Sequence, residues 1–162
     1  MKLPDAVVVF GASGFIGRNI VESLRDRVEL TGVTSSGRPI PGCDRTVALT
    51  EVDAMPALPP RSAIIHVAAF RYAASRFGQQ QSDILSTNAA LTDAVYRFAA
   101  IRKITEVRVA GSSAVYPAAW PLLDDAQPLD LNAWPHAGEA AYAWSKRWGE
   151  IVAEIWQRQA GI

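Results

Sequence analysis

Tyr142-Ala143-Trp144-Ser145-Lys146 places a phenol and an ammonium four residues apart, on one face of a helix. A cation held beside a phenol favours the phenolate, so such a pair can give and take a proton near neutral pH. Two hydroxyls, Ser112 and Ser113, follow Glu106-Val107-Arg108-Val109-Ala110-Gly111, which reads as a strand. A third stretch, Phe10-Gly11-Ala12-Ser13-Gly14-Phe15-Ile16-Gly17, carries glycines at Gly-x-x-Gly-x-x-Gly spacing. A turn of this kind between a strand and a helix aims backbone N–H groups and the positive end of the helix dipole at one point. A pyrophosphate suits that point, and glycine lets it approach closely.

The surrounding pattern supplies both elements. Ala6-Val7-Val8-Val9-Phe10 is a short, β-branched, apolar run that reads as a buried parallel strand. Ile16, Ile20 and Leu24 then recur at helical spacing, and this first helix should fade near Asp26-Arg27. Val28–Val33 reads as a second strand, Arg45–Leu49 as a weak third, and Ala63–Ala69 as a continuously apolar fourth. Pro56, Pro59 and Pro60 leave room for little more than a turn of helix before that fourth strand. Residues 72–82 lack periodicity and read as a loop. A long helix is expected over 83–102, with Ile84, Leu91, Val95 and Phe98 on one stripe and Asn88 inside it without helical advantage. Strand five delivers Ser112 and Ser113 at its carboxyl end, where open α/β sheets bind ligands. After a long proline-containing segment, a last helix over 139–159 carries an apolar stripe of Trp144, Trp148, Ile151, Val152 and Ile155. Gly149 costs that helix about 1 kcal/mol unless something packs closely against it. The five tryptophans all fall between Trp120 and Trp156, which suggests that part of this surface meets a partner.

The fold expected is α/β: a Rossmann-type doubly wound parallel sheet in the order 3-2-1-4-5, with right-handed crossovers. The 162 residues suit one domain, and 49% of them are hydrophobic, which argues against disorder. Formal net charge is zero, so nothing points to nucleic acid or to an anionic membrane surface. No apolar run approaches a bilayer-spanning length. With two histidines and one cysteine there is no metal-spaced cluster. His66, near a strand end, reads as a hydrogen-bonded structural residue rather than a base. Cys43 has no partner for an internal disulfide and no leader precedes the first strand, so a cytoplasmic location is expected.

Cofactor choice is read about 20 residues beyond the first glycine, where an acid would bind the adenosine ribose and repel a 2′-phosphate. Here stands Thr34-Ser35-Ser36-Gly37-Arg38. Its hydroxyls and guanidinium, Ser35 and Arg38 above all, suit a phosphate and slightly favour NADP over NAD. A solvated surface role for Arg38 is the simpler alternative. The small pair Ala68-Ala69 would let a cofactor lie close to the end of strand four.

Taken together, Gly11–Gly17, Ile65-His66-Val67-Ala68-Ala69, Asn88, Ser112-Ser113-Ala114-Val115-Tyr116 and Tyr142 through Lys146 resemble the extended short-chain dehydrogenase/reductase family, the NAD-dependent epimerase/dehydratase group. The resemblance implies that Ser112 orients the substrate hydroxyl or carbonyl, that Tyr142 transfers the proton, and that Lys146 binds the nicotinamide ribose and tunes Tyr142. It places Gly11, Ser13, Gly14, Phe15, Ile16, Gly17, Ala68, Ala69 and Asn88 around the cofactor. It implies hydride transfer on a nucleotide sugar, and a homodimer through helices 83–102 and 139–159, beside the more common alternative that the core uses the same apolar stripes internally. The chain departs from the family pattern at Ala48, where an acid often contacts adenine, at Gly111 in place of a serine, and at Pro117 in place of a glycine. Residues 1–162 would form the NAD(P)-binding domain, with the later strands and the carboxyl-terminal substrate lobe absent and strand five left with an open edge. Two alternatives stand beside this reading: a nucleotide-binding remnant without turnover, and a reductase of small carbonyl compounds.

Overall fold

The computed structural model describes residues 2–71, 81–119, 126, 128, 130 and 132–162. They group into two compact units, one of Met1–Ala69, Ala94–Ala110 and Trp156–Ile162, the other of Phe70–Asp93 and Gly111–Ile155.

The first unit is built on a five-stranded sheet of β1 (Ala6–Phe10), β2 (Glu29–Thr34), β3 (Arg45–Ala48), β4 (Ser62–His66) and β5 (Glu106–Val109). The strands pair in parallel in the order β3-β2-β1-β4-β5, as the sequence predicts. All five residues of β1 are buried, because a central parallel strand is covered on both faces. Its alternation sorts the core into two layers. Val8 and Phe10 pack with Ile64, Val95, Phe98 and Ala99. Val7 and Val9 pack with Ala12, Val21 and Leu30, beneath α1 (Phe15–Leu24). His66 is buried with its ring edge-on to Phe10, at 6.4 Å between centroids, in keeping with a structural role. β5, the edge strand among the described residues, is exposed along most of its length.

Boundaries shift by a few residues. β4 stops at His66 and β5 at Val109, both short of the predicted ends, because the chain turns away there to form loops at the carboxyl edge of the sheet. Between β3 and β4 the prolines leave a six-residue 3-10 turn, Leu49–Ala54. The long helix α2 spans Gln81–Arg102, two residues earlier than predicted; the rest of the predicted 72–82 loop, and Trp120, lie outside the described residues.

In the second unit, the segment after β5 makes a 3-10 turn at Ser113–Val115 and then a short antiparallel bridge, Pro117 with Pro135. The Ala118 N–H donates to the Trp134 carbonyl at 3.1 Å, so the two arms of this excursion are tied together. A second 3-10 turn, Ala137–Glu139, leads into α3 (Ala140–Ala160). The buried residues of α3 are Ala143, Ser145, Arg147 and Gly149, not the apolar stripe. At 3.6 residues per turn Ala143 and Arg147 share one flank, and Ser145 and Gly149 the other. The stripe runs between these packed flanks, with Trp148 47% and Ile155 45% exposed. No described helix is long and apolar enough to cross a membrane.

Candidate functional site

The glycine turn sits at the carboxyl end of β1, and Gly11 and Gly17 each have a steric reason. Gly11 has φ +91°, and a Cβ there would lie 2.6 Å from the Ala68 backbone nitrogen. A Cβ on Gly17 would lie 2.1 Å from the Gly11 carbonyl oxygen. Gly14 donates to the Gly11 carbonyl at 3.0 Å and forms the extended N-cap of α1. No side chain caps the helix and its first turn carries no acid, so the terminal amides and the dipole are left for an anion. Ser13, Phe15 and Ile16 are exposed beside them. The contact of Gly11 with Ala68 brings two of the predicted cofactor positions together, and Ala69 follows, exposed. The space a Cβ would take at Gly11 and Gly17 is filled by the chain's own backbone, so these glycines let the turn close, and the N-terminal amides of α1 are what a dinucleotide pyrophosphate would meet.

After β2 the chain is held by Thr34, whose hydroxyl accepts from the Gly37 N–H at 2.9 Å. Gly37, at φ +67°, abuts Ala48. Ser35 and Arg38 are exposed, and neither 34–38 nor Ala48 offers a carboxylate at this end of the sheet.

The proton-transfer candidates lie in the second unit. Tyr142 and Lys146 fall one turn apart on α3, on the face opposite the apolar stripe, with the Lys146 Nζ 5.7 Å from the Tyr142 ring centroid. Burial pushes the Lys146 ammonium below its ordinary range, opposed by the Glu150 carboxylate. Sequence reasoning missed two neighbours. The Arg71 guanidinium lies 5.1 Å from the Tyr142 ring centroid and pairs with Glu139. Glu139 lies three residues before Tyr142 in sequence, but Arg71 belongs to no short motif and only folding brings it to the phenol.

Asn88 is explained by its contacts. It is buried; its Oδ1 accepts from the Phe70 N–H at 2.6 Å, and its Nδ2 donates to the Phe70 carbonyl at 2.9 Å and to the Ser145 hydroxyl at 3.2 Å. Ser145 donates in turn to the Tyr142 carbonyl at 2.7 Å. Asn88 thus holds the backbone just past Ala68-Ala69 and the turn of α3 that carries Tyr142.

Ser112 is half-buried and caps the turn after β5, its hydroxyl accepting from the Ala114 N–H at 3.2 Å. The link between this turn and α3 is Arg147, which sequence reasoning also missed. It is 1% exposed, its Nε donates to the Val115 carbonyl at 2.7 Å and its Nη1 to the Ala133 carbonyl at 2.6 Å. The guanidinium also lies 4.8 Å from the Trp144 ring centroid. Trp144 in turn meets Trp134 edge-on at 5.6 Å. Among the described residues no cluster of side chains could hold a metal ion.

A family model described as the NAD dependent epimerase/dehydratase family matches residues 7–162. A search of curated protein sequences gives no match. Solved structures do match. The chain is 21% identical to a UDP-N-acetylglucosamine 4-epimerase from Bacillus cereus, with a TM-score of 0.74, covering 97% of this chain and 52% of that one. It is 25% identical to MoeE5 in complex with UDP-glucose and NAD, TM-score 0.73, covering 96% and 50%. It is 18% identical to MlghC, a GDP-mannoheptose C4 reductase from Campylobacter jejuni with NADP bound, TM-score 0.73, covering 99% and 49%. The chain therefore spans about half the length of these structures.

Proposed function

Because the chain belongs to the NAD-dependent epimerase/dehydratase family, we propose that residues 1–162 are the NAD(P)-binding part of an enzyme that works on a nucleotide sugar by hydride transfer, with Tyr142 as its acid/base. The observation that carries this reading is the arrangement on α3. Tyr142 and Lys146 share one face, and the turn bearing them is held through Ser145 by the buried amide of Asn88. A nicotinamide dinucleotide, when bound, supplies the hydride donor and acceptor. The chain's own residues do the rest. The amides at the start of α1, in the turn that Gly11, Gly14 and Gly17 allow to close, would bind the pyrophosphate. Lys146 would hold the nicotinamide ribose. Ser112 would orient the reacting oxygen of the substrate, and Tyr142 would take or return the proton at its phenol oxygen. NADP is favoured over NAD, because Ser35 and Arg38 are exposed where an acid would otherwise select against a 2′-phosphate. The exposed stripe of α3, with Trp148 and Ile155, supports a homodimer through helices 83–102 and 139–159.

The test is a titration of the purified chain with NADPH and with NADH, following tryptophan fluorescence and the unfolding midpoint. A ligand that binds only the folded state at about 100 times its Kd stabilises by about 2.7 kcal/mol. Tighter NADPH binding is the expected result; a preference for NADH removes the Arg38 reading alone, and binding of neither overturns the cofactor site. Addition of UDP-glucose, UDP-N-acetylglucosamine or GDP-mannose to the loaded protein should then change nicotinamide absorbance. Silence across these sugars, with cofactor bound, would leave a nucleotide-binding remnant.

A further inference from the structure

Among the described residues Arg147 is the largest fully buried side chain, and its place is costly for a cation. A leucine or methionine would fill a similar volume without the desolvation penalty. What an apolar residue lacks is the planar fork, which here donates to carbonyls on two separate arms of the chain, Val115 and Ala133. Val115 closes the 3-10 turn that begins at the cap Ser112, its N–H donating back to the Ser112 carbonyl at 3.2 Å. Ala133 lies on the returning arm, two residues before the Pro117–Pro135 bridge partner. Arg147 itself projects from α3 one residue beyond Lys146, and stacks on Trp144 from the preceding turn.

We propose that Arg147 is a positioning residue: it clasps the Ser112 turn and the returning arm onto the helix that carries Tyr142 and Lys146, and so sets Ser112 against Tyr142. Nothing in this role needs contact with substrate or cofactor. The inference rests on the reading of Ser112 and Tyr142 as partners in one reaction. Rigid placement of two groups matters because displacement by about 1 Å can slow a reaction about 100-fold. A single guanidinium bonded to both arms restricts such displacement, whereas a lysine ammonium has the charge without the fork.

The experiment compares wild type with Arg147→Met and Arg147→Lys, using amide hydrogen exchange on the intact chain and hydride transfer with NADPH or NADP and the UDP- and GDP-sugars named above. In Arg147→Met the amides of Ala114, Val115 and Ala118 should exchange about tenfold faster or more, while those of β1 and β4 keep their wild-type protection. Arg147→Lys should fall between the two. In an active wild type, kcat should drop about 100-fold in Arg147→Met, with KM, NADPH affinity and the pH–rate midpoints unchanged, and recover in part in Arg147→Lys. Unchanged protection at 114–118 overturns the clasp. Uniform loss of protection through β1 makes Arg147 a general stability residue and also overturns it, as does an unchanged kcat. A wild type inert with every sugar removes the catalytic reading instead, and the exchange comparison then judges the clasp by itself.

Discussion

Replacing Asn88 should loosen the second unit by an amount that its hydrogen bonds allow to be worked out. Asn88→Ala removes one acceptor and two donor interactions, those made with the Phe70 N–H, the Phe70 carbonyl and the Ser145 hydroxyl. At about 1 kcal/mol net per bond the loss is about 3 kcal/mol. Water can reach the half-buried Phe70 peptide and offset part of it, and alanine returns about 0.5 kcal/mol of helix propensity. A net destabilisation of about 2 kcal/mol is expected. Asn88→Asp is the sharper test. It keeps an acceptor for the Phe70 N–H but turns a carboxylate oxygen toward the Phe70 carbonyl, so at neutral pH it should be at least as damaging as alanine. Burial beside a carbonyl favours the protonated acid in the folded state. That state then holds the extra proton, and the variant should regain stability as pH falls toward and through the ordinary aspartate range. Urea unfolding gives the stability, and the exchange rate of the Phe70 amide reports the local opening. A cycle with Ser145→Ala should show a coupling of about 1 kcal/mol between the two side chains. An Asn88→Ala cost under about 0.5 kcal/mol, or an aspartate variant as stable as wild type at pH 7, would refute the clamp.

Gly11→Ala forces a side chain into a positive-φ position and to 2.6 Å from the Ala68 nitrogen, and should destabilise by on the order of 3 kcal/mol and abolish cofactor-induced stabilisation; a shift in unfolding midpoint too small to measure would refute it. Gly149→Ala should do the opposite. An added Cβ meets only the Thr92 hydroxyl, at 3.8 Å, so the helix should gain about 1 kcal/mol in chemical denaturation, and a loss would show packing closer than the structure has it. Lys146→Met should alter the alkaline stability profile. The Lys146 ammonium is lowered by burial, so between that lowered value and the ordinary one the unfolded state holds more protons, and stability rises with pH through that window and falls as pH drops back through it. The difference between wild-type and Lys146→Met urea midpoints should therefore change across alkaline pH in that direction; a constant difference sinks the assignment.

The sequence alone determined the glycine turn, the five strands and their order, and the family. These are local or periodic signals: an apolar run read as a doubly covered strand, glycines at a strand-to-helix junction, and a phenol and ammonium one helical turn apart. Element ends were legible only to within a few residues, because β4 and β5 stop where the chain leaves the sheet, and no residue type marks that point. The last helix shows what periodicity cannot say. Its apolar stripe is the strongest pattern on it, yet the flanks that pack carry Ala143 with Arg147 and Ser145 with Gly149. A hydrophobic stripe shows that a face prefers burial, not what will cover it. Only the tertiary structure decided that Asn88 answers to Phe70 and Ser145, that Arg71 comes to Tyr142, and that Arg147 joins Val115 to Ala133. The Asn88 and Arg147 contacts pair a buried polar group with backbone or side chains 14 to 57 residues away in sequence, the shortest being Arg147 with Ala133 and the longest Asn88 with Ser145. Such partners are chosen by the requirement that buried polar atoms find a hydrogen bond, and that requirement acts on the folded chain.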